Sequence, residues 1–586
     1  MRFDWIDVRA SLLRYTGGVI CYNSFMIEST HLDILGLVFF TSLFLSLFIV
    51  PITVVVARKV GAVDIPKDRS SHSKPTTRLG GLGIAASLVL SCLMFLPFNT
   101  FAWAFLTGLL VIIATGLVDD IADIGPRWKF VGQAVAASAF VGLGGGSLDN
   151  LGSFLGGDNI RLGFFAAPFT VFCMVGGINA FNLSDGLDGL ASGLAAIAAV
   201  FFAYFSWHVG ASDLLLVCIA LLGALIGFLR YNSYPSKLFM GDCGSLSLGF
   251  VLVALLVSGS QRAGGHFPLV GWALVLALPL IDTLLVMARR MYYGHSPFLP
   301  DRTHLHHRLM ELGLAHPGVV AVMYVAMVLF GALAFALQDF PDWLKFVALC
   351  LAGVVLFGGV SGLQHSGFKF VAERRRRIYS TVRQWPMFIR FSRWVESKSV
   401  SVSVLLLSLL CLPALFFPLP SLDENEVLAM LMLSGVVIFY SLHQTPDYKG
   451  VLHGSIYVSI FVLFFLYNLS LLTDGRWPFV YLAVVSMLAA VWVSVKVVFR
   501  KHTAILKISS FELLMVFLSW FLPFVLFREL HLPLEVEVAG RQACLQVLPF
   551  MLSAKIYFNV QPQGNRWVVG VLSGAMVIVA LRGMVW

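Results

Sequence analysis

Apolar runs of about 18 residues or more, each long enough to cross a bilayer core as a helix, recur from Leu32 to the end of the sequence. Inside hydrocarbon every backbone N–H and C=O must be satisfied by the element itself, which leaves only helices and closed barrels. Runs of this length and apolarity read as spanning helices. Composition agrees: 59% of the 586 residues are hydrophobic and 12% are charged, where a soluble protein carries roughly a quarter charged residues. The expected fold class is an all-α polytopic integral membrane protein. Soluble multidomain enzymes, disulfide-built secreted domains and DNA-binding proteins are poor explanations. The net charge of +9 does not point to nucleic acid, because the basic residues lie between apolar runs rather than on one face. The eight cysteines are scattered without a CxxC pair, so neither zinc nor a disulfide framework is indicated.

Eleven spans are expected in the first part of the chain, near 33–57, 80–97, 101–118, 130–143, 163–178, 190–207, 213–229, 243–259, 267–288, 318–337 and 343–363. About seven more follow, near 401–419, 427–442, 453–471, 478–495, 509–526, 543–558 and 567–585. The expected organisation is an N-terminal lead (1–32), a membrane core (33–365), a basic linker (366–400) and a multi-span C-terminal region (401–586). Met26 is a candidate start, since Met26 to Asp33 makes a normal short lead into a first span.

Lysine and arginine bias sets the orientation. If the first span runs outside to inside, one set of loops holds Arg58, Lys59, Lys67, Arg69, Lys74, Arg78, Arg127, Lys129, Arg230, Lys237, Arg289, Arg290, Arg302 and Arg308. The opposite loops hold only Arg161 and Arg262. The first set is therefore expected in the cytoplasm, and the basic linker with Arg374 to Arg377 falls on the same side.

Acidic residues are expensive near a bilayer, so their positions inform. Asp119, Asp120 and Asp123 end the third span. Asn179, Asn182, Asp185 and Asp188 follow the fifth, in Asn179-Ala-Phe-Asn-Leu-Ser-Asp-Gly-Leu-Asp-Gly189. Asp242 precedes the eighth, in Phe239-Met-Gly-Asp-Cys-Gly-Ser245. A fourth loop carries His304, His306 and His307. Each cluster has a bland alternative. The Asp pair reads also as a solvated loop, the Asn-x-x-Asn-x-x-Asp-Gly stretch as turn chemistry, and Gly-Asp-x-Gly-Ser as a helix cap. The histidines fit a metal site, a phosphate binder or an exposed loop, and Asp282 reads as a satisfied intramembrane polar group. All four clusters fall on one membrane side, which favours a shared cytoplasm-facing site. Several carboxylates without cysteine suit Mg²⁺, with Mn²⁺ as the alternative. Basic and histidine side chains nearby suit phosphate oxygens. Together they point to metal-assisted phosphoryl transfer at the membrane surface.

Arg78-Leu-Gly-Gly81, Asp119-Asp-Ile-Ala-Asp123, the Asn179–Leu190 stretch, Phe239–Ser245 and His304-Leu-His-His307 occur in an order that resembles the bacterial polyprenyl-phosphate N-acetylhexosamine-1-phosphate transferases. The resemblance covers roughly residues 33–365. His-Leu-His-His resembles the GlcNAc-1-phosphate transferase branch and departs from the three successive histidines of the peptidoglycan branch. The resemblance implies transfer of HexNAc-1-phosphate, with GlcNAc-1-phosphate favoured, from a UDP-sugar to undecaprenyl phosphate. The products are undecaprenyl-diphospho-HexNAc and UMP, and the step would initiate O-antigen or another cell-envelope polysaccharide. It implies a bacterial inner membrane, a cytoplasm-facing site, contact with membrane lipid and a homodimer.

Carried over by position, Asp242 resembles the Mg²⁺ ligand, with Asn182 and Asp185 in the metal and diphosphate environment. Asp119 and Asp120 resemble the pair that handles the acceptor phosphate, Asp119 as candidate base and Asp120 paired to Lys67. A phosphate monoester is already largely a dianion at pH 7, so positioning matters more than proton removal. Gly186, Leu187, Asp188 and Phe239 resemble the uridine pocket, and His304, His306 and His307 the loop on donor sugar and phosphate. Lys67, His72, Arg78 and Lys129 are further phosphate-binding candidates. The alternatives are the phospho-MurNAc-pentapeptide transferase of peptidoglycan synthesis and a non-catalytic lipid transporter or scaffold. A transporter is expected to place its polar groups near the midplane of an internal repeat, and no clear repeat is visible. Residues 401–586 carry no recognisable catalytic constellation, and the family pattern normally ends after the eleventh span.

Overall fold

The computed structural model of the chain describes residues 29–64, 75–153, 158–262, 269–296, 303–369, 386–412 and 566–583, with scattered positions between 427 and 554. It divides into two compact units, Met1–Phe370 and Val371–Trp586.

The first unit is a helical bundle: α1 (Ser29–Val60), α2 (Gly80–Phe95), α3 (Thr100–Ala122), α4 (Pro126–Gly142), α5 (Ala166–Asn182), α6 (Leu190–His208), α7 (Ser212–Asn232) and α8 (Gly241–Arg262). Then follow α9 (Leu269–Val275), α10 (Ala277–Tyr292), α11 (Leu305–Glu311), α12 (His316–Ala336), α13 (Asp342–Gly353) and α14 (Gly359–His365), the last two joined by a π turn at Val354–Gly358. A short antiparallel pair, β1 (Val63–Asp64) and β2 (Thr76–Thr77), registers Val63 on Thr77. Among the described residues, eight helical segments are long and apolar enough to span a membrane. The other three expected spans correspond to the shorter helices α2 and α4 and to the α9–α10 pair. The chain is a multi-pass membrane protein.

One expectation changes. The run 267–288 is not one straight helix: α9 and α10 meet at Leu276 with a bend of 85°. Pro279 contributes to the bend, since it has no N–H for the carbonyl of Val275 and its ring crowds that turn, which weakens the helix at this point. Elsewhere the local signals match the ends. The Asn99 side chain caps α3 by accepting from the Ala102 amide at 2.8 Å, while Pro126 and Pro317 stand in the first turns of α4 and α12.

The spans of the bundle centre are α6, α7 and α8, the last buried along its whole apolar window. Lipid is as apolar as leucine, so membrane helices associate through small residues and polar contacts instead. Gly223 and Gly227 of α7 meet α1 so closely that an added Cβ would lie 2.4 Å from the Phe39 carbonyl and 2.7 Å from Ser46 Cβ. Across the same seam Ser42 and Ser46 donate to the carbonyls of Ala220 and Ala224 at 2.6 and 2.8 Å. In the second unit, α15 (Pro386–Cys411) packs against α16 (Arg566–Gly583). The remaining tail spans are described only at scattered helical positions.

Candidate active site

The site forms where the end of α3 meets the start of α8. Glycine makes the approach possible: a Cβ on Gly81 would lie 2.1 Å from Gly244 Cα, and one on Gly116 would lie 2.4 Å from Cys243 Cα. The Arg78-Leu-Gly-Gly81 stretch lies along Phe239-Met-Gly241. Phe239 N donates to Thr77 O at 2.8 Å, Gly80 N to Phe239 O at 3.0 Å and Gly81 N to Met240 O at 2.7 Å. Gly241 then turns at φ +72°, with Arg78 O and the Asp120 carboxylate where a side chain would stand.

The neighbouring aspartates of α3 do different work. Asp120 accepts from the amides of Asp242 (2.8 Å) and Cys243 (2.9 Å), one on each oxygen. It is the cap of α8, and it fixes the residue beside it, Asp242. Asp119 instead binds Lys129 Nζ at 2.6 Å through Oδ2. Lys129 Nζ also lies 3.1 Å from Asp242 Oδ2, so one ammonium bridges both carboxylates. Asp119 Oδ1 is buried with no hydrogen-bond donor, and its neighbour Asp242 is an acceptor too.

Asn182 interacts with Asp242 and accepts from Ser245 Oγ at 2.6 Å. Asp185 stands partly exposed near Asp242, Asp120 and Asp188; desolvation, reinforced by these negative neighbours, pushes its carboxyl up to about 7. Asp188 accepts from the amide and hydroxyl of Ser236 at 3.0 and 2.9 Å. That bond holds the loop bearing Tyr234, whose ring stacks on His316 with centroids 4.4 Å apart. Arg78 pairs with Asp64 at 2.7 Å. Asn179 forms a reciprocal amide pair with Gln133 of α4 and lines an apolar cavity beside the site. Lys67 and His72 lie outside the described residues.

Two cavities meet here. A polar one of about 510 Å³ is lined by Arg78, Asp120, Asp185, Leu187, Asp188, Phe239 and Asp242, among others. An apolar one of about 1270 Å³ runs between α4, α5, α8 and the α9–α10 bend, and Lys129, Arg290, His304, His306 and His307 line it too. Asn182 and Gly186 line both.

The comparisons fit this architecture. The sequence profile of glycosyl transferase family 4 matches residues 102–260. A probable undecaprenyl-phosphate N-acetylglucosaminyl 1-phosphate transferase of Bacillus subtilis is 34% identical over 343 residues, covering 58% of this chain and 96% of the relative. The chain belongs to glycosyl transferase family 4. Two further relatives are an undecaprenyl-phosphate alpha-N-acetylglucosaminyl 1-phosphate transferase of Escherichia coli K12 and a decaprenyl-phosphate N-acetylglucosaminephosphotransferase of Mycobacterium tuberculosis H37Rv. The first is 30% identical, covering 59% of this chain and 95% of the relative; the second is 32% identical, covering 61% and 95%.

As a family 4 enzyme the chain is a phosphotransferase of the divalent-metal-dependent type. The residues at hand fit such an ion. Two acceptors, Asp119 Oδ1 and the Asp242 carboxylate, face each other without a donor for the first. Among the described residues no three His, Cys, Asp or Glu side chains form a cage. A hard divalent ion can be held by one or two carboxylates and complete its shell with water and substrate phosphates. Sequence reading missed Gln133, Asn232, Ser236, Ser245 and His316. A polar residue inside an apolar helix was a usable signal for Gln133 alone.

Proposed function

We propose that the chain transfers GlcNAc-1-phosphate from UDP-GlcNAc to undecaprenyl phosphate, with Mg²⁺, at the cytoplasmic face of a bacterial inner membrane. One observation carries the reading: a polar cavity and a larger apolar cavity meet at Asn182 and Gly186, beside Asp119 and Asp242. A nucleotide sugar suits the first and a polyprenyl chain the second, and their phosphates would meet between them. The lysine and arginine bias supports the orientation.

In this reading an oxygen of the acceptor phosphate attacks the sugar-bearing phosphorus of the donor. The P–O–P bridge breaks and UMP leaves with the bridging oxygen. Asp242 and Asp119 would hold the ion, whose chemistry is to neutralise charge on the diphosphate. Asp120 keeps Asp242 in place through the α8 cap. Lys129 and Arg78 are within reach of phosphate oxygens at the two cavities. Asp188, through Ser236, holds the Tyr234–His316 stack at the wall of the polar cavity.

The test is a transfer assay on purified protein with undecaprenyl phosphate, Mg²⁺ and a panel of UDP-amino sugars. The reading expects UMP release with UDP-GlcNAc, abolished by EDTA and by Asp242→Asn. Folded protein that turns over no donor would overturn it.

A further inference from the structure

A further polar cavity, of about 430 Å³, lies at the other end of the bundle. Ser260 in its wall stands about 27 Å along α8 from Asp242 by helical rise. Gln338 and Asp342 line it from the connection between α12 and α13, whereas His316, at the other end of α12, lines the polar cavity of the active site. The cavity therefore belongs to the opposite membrane side. Trp343, exposed in the first turn of α13, suits the bilayer–water interface at this end. Two charged side chains are buried in the wall, Lys345 at 2% and Asp342 at 8% exposure. Asp342 Oδ2 accepts from the Ser153 amide at 3.0 Å, which holds the α4–α5 connection over the start of α13. Its Oδ1 lies 3.6 Å from Lys345 Nζ, longer than a hydrogen bond. The ammonium thus keeps donors for the cavity that it lines. Tyr204 donates to Gln338 Oε1 at 3.1 Å and the Gly152 amide to Asn150 Oδ1 at 2.9 Å, so each of these two side-chain amides has its NH₂ group left to offer the cavity. The exposed Asp339 carboxylate and the half-exposed Phe340 ring complete the lining.

These charges select the ligand. Two carboxylates disfavour an anion such as phosphate, and the buried ammonium disfavours a cation, because like charges brought together are costly. What suits the wall is a neutral molecule that both donates and accepts at several points. A saccharide does so: each hydroxyl donates and accepts, and the C–H face of the ring covers an aromatic side chain. The volume falls within the roughly 300–1,000 Å³ of small-molecule sites. We propose that this cavity binds a neutral saccharide unit on the membrane side opposite to the phosphoryl-transfer site. Lys345, Gln338 and Asn150 donate to its oxygens, Asp342 and Asp339 accept from its hydroxyls, and Phe340 lies under its apolar face. The site is not catalytic and does not rest on the transferase reading.

The experiment measures saccharide binding by saturation-transfer NMR on the purified full chain in nanodiscs free of glycoside detergent, with UDP present to occupy the active-site cavity. The probes are glucose, N-acetylglucosamine, maltose, lactose and N,N′-diacetylchitobiose, with glucosamine and a glucose phosphate as charged counterparts. At least one neutral probe should bind, and the charged counterparts should bind about tenfold more weakly than glucose or not at all, the scale of one interaction with a charged group. Lys345→Met should weaken the neutral probe about tenfold, the size of one hydrogen bond to a charged group. Phe340→Ala should weaken it about fivefold, the scale of burying part of an aromatic ring, and leave UMP release from UDP-GlcNAc within about twofold. If Lys345→Met does not accumulate, Phe340→Ala decides alone, since the ring it removes is half exposed. Binding of no neutral probe, wild-type-like binding by Phe340→Ala or Lys345→Met, displacement of the saccharide by UDP, or tighter binding of the glucose phosphate would each overturn the proposal. Wild-type protein that binds the saccharide through this wall yet releases no UMP would overturn the transferase reading and leave this one standing.

Discussion

Asp119 and Asp120 are neighbours of identical chemistry with opposite situations: one has a buried oxygen without a donor, and the other spends both oxygens on backbone amides. Their substitutions should separate accordingly. Asp119→Asn and Asp242→Asn should lower turnover on the order of 10²–10³-fold, the scale of losing a charge-stabilising group in phosphoryl transfer, while the protein still accumulates in membranes. Asp120→Asn should lower stability by about 1 kcal/mol, the worth of a helix cap, and a thermal midpoint in detergent reads it. Equal melting of all three would contradict the division. No sequence motif separates the two roles, because it depends on which side of α3 faces the start of α8. His306 yields a pH prediction. Burial, with His307 and His304 adding, pulls its imidazole from 6.5 down to about 3. The fold keeps the ring neutral while the unfolded chain takes up a proton below its ordinary pKa. Stability is therefore full above about 6.5 and falls by up to about 1.4 kcal/mol per pH unit as pH drops from there towards 3. His306→Gln should flatten that acid limb of a melting-temperature profile. An unchanged limb would mean that other groups set it.

At the scale of elements, the spans of the first unit were legible in the sequence among the described residues, because uninterrupted apolar runs leave the backbone no other solution. The α9–α10 break was harder to see. Its hydrophobicity is continuous, and only Pro279 marks the turn that cannot close. Close packing between helices was also hidden, since glycine looks alike whether it faces lipid or another backbone. Gly223→Ala should therefore cost about 1–3 kcal/mol by forcing α1 and α7 apart, lowering the detergent-stable yield and the melting point. Gly271→Ala in α9 points its Cβ into open space and should leave both unchanged. Similar loss in the two variants would show that the α1–α7 seam does not decide, since helix propensity by itself favours alanine at both positions.

At the scale of the whole molecule, the chain divides between Phe370 and Val371, and the relatives cover about 60% of its length. A chain ending at Phe370 should retain UMP release within about threefold of the full protein, which on the free-energy scale is less than 1 kcal/mol. A stable, well-inserted truncation with no turnover would mean that the tail completes the enzyme. The two cavities and their shared wall also decide traffic. In the proposed reaction a water-borne reactant and a bilayer-borne reactant would occupy different cavities, so that neither product needs the other's way out. Loading should then be order-independent: in that reaction UMP can return to water while the lipid product is still seated, and a bilayer flooded with that product would slow release of the lipid alone.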